Sequence, residues 1–150
     1  AALAKWIDSL EGGDAERGEH LFTSRVELSC LRCHRAEASD EPAIGPILAG
    51  LSERLDRRGI LASLVDPNRD VAEDFESWTL LLSDDEVFAG RILSEDAENL
   101  VLINSEGELY DIAPAEITER KRALSSMPEG LSGFLTRAEM RDLIEYLATL

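Results

Sequence analysis

Four short apolar runs stand close together in the middle of the chain. They are Trp78-Thr79-Leu80-Leu81-Leu82, Val87-Phe88-Ala89-Gly90-Arg91-Ile92-Leu93, Leu100-Val101-Leu102-Ile103 and Leu109-Tyr110-Asp111-Ile112. Each has the length of a strand, and Asp84-Asp85, Glu95-Asp96 and Glu106-Gly107 supply turns between them. They predict a small antiparallel meander. How this stretch is read decides the fold, because both of its flanks read as helix. The expectation is a mainly α domain with a small antiparallel β-sheet inserted at about residues 75–117.

Working outward, Leu51 to Val65 carries apolar residues at helical spacing and ends at Asp66-Pro67, since the residue before a proline is pushed out of the helical region. Residues 24–50 hold no period. Before them, Asp14 is a plausible N-cap for a helix to about Thr23, with Gly18, Leu21 and Phe22 as its inward stripe. Ala1 to Leu10 reads as a further short helix, stopped by Gly12-Gly13. On the other side of the strands, Thr136 and Glu139 make a capping box, and Leu135 and Met140 make a hydrophobic staple. Met140, Leu143, Ile144 and Leu147 then line one face of a last helix.

The 150 residues include 31 acidic and 15 basic side chains, a formal charge of −16. An apolar content of 44% suits a folded domain rather than a disordered chain. The charge disfavours nucleic acid and anionic lipid as partners, because both are polyanionic. No run approaches the roughly 20 apolar residues that span a bilayer. A chain opening Ala1-Ala2, without a basic and then apolar leader, reads as a mature form or an excised segment. Aromatic residues are few, at 5%.

The chemistry is concentrated in the irregular stretch. Cys30-Leu31-Arg32-Cys33-His34 is a C-x-x-C-H motif holding both cysteines of the chain. Such a spacing leaves zinc, redox and haem chemistry to be weighed. Zinc needs about four ligands. The candidates are Cys30, Cys33, His34 and His20, and adjacency strains joint ligation by Cys33 and His34. A redox dithiol expects a strand before the pair and a helix after it. Covalent haem fits best: two thiols one turn apart can each bond one vinyl group, and His34 follows as a ligand to the iron. A haem would also fill volume that the few aromatics leave. For a sixth ligand, Met127 sits in the polar loop Ser125-Ser126-Met127-Pro128-Glu129-Gly130 with no core reason to be there, whereas Met140 belongs to a helix face. His20 lies off the α-helical stripe and reads as a surface residue.

These residues together resemble a class I c-type cytochrome domain. Gly18 and Phe22 match its G-x-x-x-F helix, Cys30 to His34 its haem motif, Gly45-Pro46-Ile47-Leu48-Ala49-Gly50 its G-P-x-L-x-G, Met127-Pro128 its ligand loop, and Tyr146-Leu147 its final helix. More closely, the chain is similar to the haem-binding C-terminal domain of large secreted dehydrogenase-like proteins of planctomycetes and verrucomicrobia. The phrases from Asp66 to Trp78 and from Ser126 to Leu131 carry that likeness. It covers residues 13–150, leaving 1–12 as a linker or the tail of an upstream helical segment. One departure is the interval between the ligands: Met127 follows His34 by 93 residues (127 minus 34), so the inserted strands must leave and return at nearly one place.

The resemblance implies a mainly α class I cytochrome c fold and one covalent haem c, with His34 and Met127 as axial ligands. It implies that the Pro46 carbonyl holds the second ring nitrogen of His34, and that Gly18 allows close crossing by the last helix. The implied function is single-electron transfer rather than enzymatic turnover, with electrons accepted from a fused or partner dehydrogenase in the periplasm or another extracytoplasmic place. The alternative is a haem-based sensor, ligand-binding or peroxidase-like module, should Met127 not ligate iron. Arg54, Arg57, Arg58 and Trp78 are the candidates for contact with haem propionates.

Overall fold

The computed structural model describes residues 2–150; Ala1, where the first predicted helix begins, lies outside the described residues. Helices α1 (Ala15–Ser24), α2 (Cys30–Cys33), α3 (Leu51–Arg54) and α4 (Arg57–Val65) precede the strands, and α5 (Arg137–Leu147) follows them. The strands are β1 (Ser77–Leu82), β2 (Val87–Glu95), β3 (Leu100–Ile103), β4 (Leu109–Ile112) and β5 (Ile117–Arg122).

The first segment is a 3-10 helix, Leu3–Ser9, rather than an α-helix. A 3-10 helix eclipses every third residue. Leu3, Trp6 and Ser9 therefore share a side, and Trp6 and Ser9 are buried. Trp6 joins the helical core, Arg141 donates to the Asp8 carbonyl at 3.1 Å, and Arg57 donates to the Leu10 carbonyl at 3.0 Å. This segment thus packs on the same core as α4 and α5.

Helix α1 begins where Asp14 accepts a hydrogen bond from the Arg17 backbone N–H at 2.9 Å. It crosses α5 with almost no space between backbones. A Cβ placed on Gly18 would stand 1.9 Å from the Asp142 carbonyl oxygen, and one on Gly13 would stand 2.1 Å from that of Arg141. Phe22 and Tyr146 fill the crossing, ring centroids 5.6 Å apart. Helix α5 carries the expected capping box, and its face of Met140, Leu143, Ile144 and Leu147 is buried. The expected single helix from Leu51 to Val65 is broken in two. Leu55 is extended, and Asp56 starts α4 afresh by accepting from the Gly59 N–H at 2.8 Å.

The expectation of a mainly α class I cytochrome c fold is overturned. The chain is α+β, with 37% helix and 19% strand in a five-stranded antiparallel sheet. The four predicted strands are present, and a fifth, β5, closes the order β4-β3-β2-β1-β5. The sequence hides β5 because Ile117-Thr118-Glu119-Arg120-Lys121-Arg122 buries almost nothing. Its ladder to β1 and the Arg120–Glu95 ion pair hold it, and its charges suit a sheet edge. The sheet also has a core of its own, Leu80, Leu82, Leu100, Leu102 and Ile112, with the tilted rings of Phe88 and Tyr110 beside it, centroids 5.0 Å apart. The sheet thus has a hydrophobic core separate from that of the helices.

Pairing of β1 with β5 sets Trp78 opposite Arg122 and so brings the sheet's entry and exit side by side. The Ala123 N–H donates to the Ser77 carbonyl at 2.8 Å, and the Ser77 and Ser126 hydroxyls share a hydrogen bond of 2.8 Å. The chain is thereby returned to the helical half one residue before Met127.

Candidate functional site

Ser29 enters α2 in the left-handed region, and His34 leaves it extended. The one turn between them puts Cys30 and Cys33 on the same helical side, since residues three apart are neighbours on a helix. Both are half-buried free thiols. Burial pushes the Cys30 thiol up to about 11 and raises that of Cys33 as well. That is the opposite of the depressed pKa that activates a redox cysteine. Among the described residues, no three His, Cys, Asp or Glu side chains gather as a metal cluster.

His34 is locked in place by residues 43–48. The Gly45 N–H donates to the Cys33 carbonyl at 2.8 Å, and the Leu48 N–H donates to the Arg35 carbonyl at 2.8 Å. Between these two clasps, His34 Nδ1 lies 2.8 Å from the Pro46 carbonyl oxygen. A carbonyl can only accept, so Nδ1 carries the proton and Nε2 keeps its lone pair. Burial lowers the His34 pKa, against the smaller opposing pull of the Pro46 carbonyl, and so favours the neutral ring. Gly45 lies flat against the imidazole: a Cβ there would be 2.7 Å from Cε1 and 2.9 Å from Nδ1. The result is one neutral histidine, held in one tautomer and one orientation, directly after two thiols.

This burial has a consequence for stability. Since the folded-state pKa lies below the ordinary 6.5, the unfolded chain takes up the proton first as pH falls. The contribution of His34 is whole above pH 6.5 and is lost as pH drops from there through the depressed pKa. The urea midpoint of the chain is expected to fall across that window, and to fall less in His34→Gln. Equal falls in both proteins would remove His34 as the cause.

Met127 is half-buried and packs on the helical core, as does Cys30. Asn68, in the turn after α4, braces its loop from both sides. Its Oδ1 accepts from the Ser125 N–H at 2.7 Å, and its Nδ2 donates to Glu129 at 2.7 Å. The Met127 N–H itself donates to the Ser125 hydroxyl at 3.2 Å. The sequence reading passed over Asn68, whose role needs a partner 57 residues away. An open cleft of about 250 Å³ flanks Cys30 on the side of α1 and is lined by Phe22, Arg25, Val26 and Ser29; His34 and Met127 are not in its wall.

The other candidates separate. His20 is exposed on α1. Arg57 forms a two-point ion pair with Glu145, at 2.5 and 3.1 Å, besides its bond to Leu10. Arg58 is exposed, and Trp78 packs against the sheet's core. Arg54 is exposed and donates to the Ile47 carbonyl at 2.8 Å. Two further residues were illegible in sequence. Asp142 interrupts an apolar helix face, yet it is buried and accepts from the Asp14 N–H at 2.8 Å and Arg17 Nε at 3.0 Å. Arg91 reaches out of β2 to the Ala43 carbonyl, 2.5 Å away in the loop that holds His34.

Two thiols on one turn and an imidazole held through Nδ1 are donors that a covalent haem would use, and Met127 packs on the same core as Cys30. Among the described residues no helix is long and apolar enough to cross a membrane. No family model matches the chain, and no curated protein matches it.

Proposed function

We propose that this chain is a c-type haem domain that carries single electrons. Cys30 and Cys33 would attach one haem through thioethers, and His34 Nε2 and Met127 would be its axial ligands. The observation that carries the reading is the clamped imidazole: His34 Nδ1 sits 2.8 Å from the Pro46 carbonyl with Gly45 against the ring. An imidazole whose second nitrogen is held by an acceptor has fixed orientation and raised basicity, which is what an axial ligand requires. When bound, the haem supplies a reversible ferric–ferrous couple. A thioether opposite histidine favours the ferrous state and raises the potential. Were His34 and Met127 both to hold the iron, small molecules would be kept from it.

Residues 43–48 and the Asn68 brace would keep His34 and the Met127 loop on preformed backbone, so that little would need to move when charge changes. Electrons would come from a dehydrogenase, fused or separate, and the domain would work outside the cytoplasm, where covalent haem is attached. A separate partner would present a basic patch to the −16 charge, and its rate would fall with added salt.

The test is expression with a haem-attachment system, followed by intact mass and a pyridine haemochrome spectrum. One covalent haem per chain is expected, with a thioether-to-iron band toward the red end of the ferric spectrum. Met127→Ala is expected to abolish that band, lower the potential and admit carbon monoxide quickly, while His20→Ala and Met140→Leu leave the spectrum as it was. Apoprotein mass alone would refute the haem reading. Fast carbon monoxide binding to the unaltered protein, with no red band, would turn it into a sensor or peroxidase-like module.

A further inference from the structure

One rung of the sheet reaches both segments of the candidate site. Ser77 of β1 and Arg91 of β2 stand directly opposite each other in the ladder. Successive side chains of a strand point to opposite faces. Leu80 and Leu82 turn into the sheet's own core, so Ser77 faces the other way, and Arg91, its partner, shares that face. From there the two side chains go to different places. Arg91 Nη2 donates to the Ala43 carbonyl at 2.5 Å. Ala43 stands two residues before Gly45, which lies against the His34 ring and is clasped to the Cys33 carbonyl. Ser77 is buried and turns to the other loop. Its hydroxyl shares a 2.8 Å hydrogen bond with that of Ser126, the residue before Met127, and its carbonyl accepts from the Ala123 N–H at 2.8 Å. Arg91 also fixes the entrance to the strands. Nη1 donates to the Asp74 carbonyl at 3.3 Å, and the guanidinium carbon lies 4.2 Å from the Phe75 ring centroid.

Both residue types suit the task. A guanidinium is a rigid fork with several donors and can join two carbonyls at once. A hydroxyl both donates and accepts, so a pair of serines closes whichever way the protons point. Opposite residues of an antiparallel pair have Cβ atoms about 5 Å apart. Two segments anchored to one rung are therefore held at one separation, although Ala43 and Ser126 lie 83 residues apart in the chain (126 minus 43). We propose that Ser77 and Arg91 are positioning residues for both axial ligands. The rung sets the gap between His34 and Met127, and with it how firmly Met127 holds the iron. The proposal rests on the haem reading above. It gives the inserted strands a task beyond lengthening the chain between the ligands. Without the Ser77 hydroxyl, the Met127 loop swings away more often. Without the Arg91 fork, residues 43–48 tilt and turn the imidazole with them.

The experiment uses the haem-loaded protein. Intact mass and pyridine haemochrome first establish attachment in the unaltered chain; apoprotein alone overturns this proposal together with the haem reading. Two readouts follow. The rate of carbon monoxide binding to the ferrous protein reports release of Met127. The g values of the low-spin ferric protein, from electron paramagnetic resonance, report the orientation of the His34 ring. Ser77→Ala is expected to raise the carbon monoxide rate about fivefold, the factor that one neutral hydrogen bond carries. Ser126→Ala should raise it equally, and the double variant no further, because all three remove the same bond. Arg91→Gln is expected to shift the g values. Should it fail to fold, Arg91→Lys decides: it keeps the charge but loses the fork, and should shift them as well. Ile112→Val thins the sheet's core without touching either loop, and should leave both readouts unchanged. With haem attached, an unchanged carbon monoxide rate in Ser77→Ala and Ser126→Ala overturns the proposal and leaves the haem reading intact. Unshifted g values in the Arg91 variant do the same, because the rung then serves one ligand at most. Equal changes in Ile112→Val would trace the effect to the stability of the sheet and overturn the proposal too.

Discussion

Gly45→Ala is expected to cost the site its histidine. The added methyl would stand 2.7 Å from Cε1, 2.9 Å from Nδ1 and 3.1 Å from Nε2 of His34, so ring or backbone must move. Neither can move freely. The ring is bonded to the Pro46 carbonyl at 2.8 Å, and Gly45 itself is clasped to the Cys33 carbonyl at 2.8 Å. Overpacking of this kind costs about 1–3 kcal/mol. The haem-free chain should lose about 2 kcal/mol in urea unfolding, within that range. Under the proposed haem function, the haem-loaded variant should lack a six-coordinate, low-spin spectrum, because a bond from His34 would be misdirected. Unchanged urea stability together with an unchanged spectrum would show that the contact between Gly45 and the ring is not made in solution.

Gly18→Ala is expected to be the most damaging single-methyl change in the helical half. Alanine in place of glycine inside a helix ordinarily gains about 1 kcal/mol of propensity. Here the new Cβ would lie 1.9 Å from the Asp142 carbonyl oxygen and 2.7 Å from Tyr146 Cβ. The first is backbone of α5 and cannot turn aside. Helix α5 is tied to the start of α1 as well, through the Asp142 carboxylate on the Asp14 N–H and Arg17 Nε. The two helices would have to separate, opening the Phe22–Tyr146 contact. A net loss of about 3 kcal/mol is expected, toward the upper end for overpacking. For a domain of this size that is a fall in Tm of about 6–12 °C. Thermal unfolding by circular dichroism measures it, and a Tm equal to or above that of the unaltered chain would refute the crossing.

Both predictions concern glycines, and they show two grades of legibility. Gly18 was read from sequence as a crossing position by resemblance, and it lies at the crossing of α1 and α5. Gly45 was read only as part of a G-P-x-L-x-G phrase, and its contact with His34 emerges when residues 43–48 fold back along Cys33 to Arg35. The four strands with alternating or continuous apolar residues were legible, as were the capping box of Thr136 and Glu139 and the Asp14 cap. In each case the signal and the structure lie within a few residues of one another. The helix break at Leu55-Asp56 was missed because Asp56 competes as a cap with the apolar period running through it. The first segment was legible only as a short helix; its 3-10 winding, which buries Trp6 and Ser9 on one side, appears in the structure.

By itself, then, the sequence determined the local chemistry and the local backbone of this protein. It set two thiols and a histidine on one turn, a methionine in a polar loop, a capped apolar helix, and a run of strand-forming segments. Only the tertiary structure decided that those strands join a fifth in the one antiparallel sheet of an α+β fold. Strand β5 has no apolar pattern and is recruited by the backbone ladder of β1, some 40 residues upstream. Only the tertiary structure decided, too, what surrounds the candidate site: Asn68 on the Met127 loop, Asp142 across two helices, and Arg91 from the sheet onto Ala43. The physical reason is one of range. Helix caps, turns and strand alternation are settled by neighbours along the chain, whereas a hydrogen bond or ion pair between distant residues exists only once packing has brought them within about 3 Å.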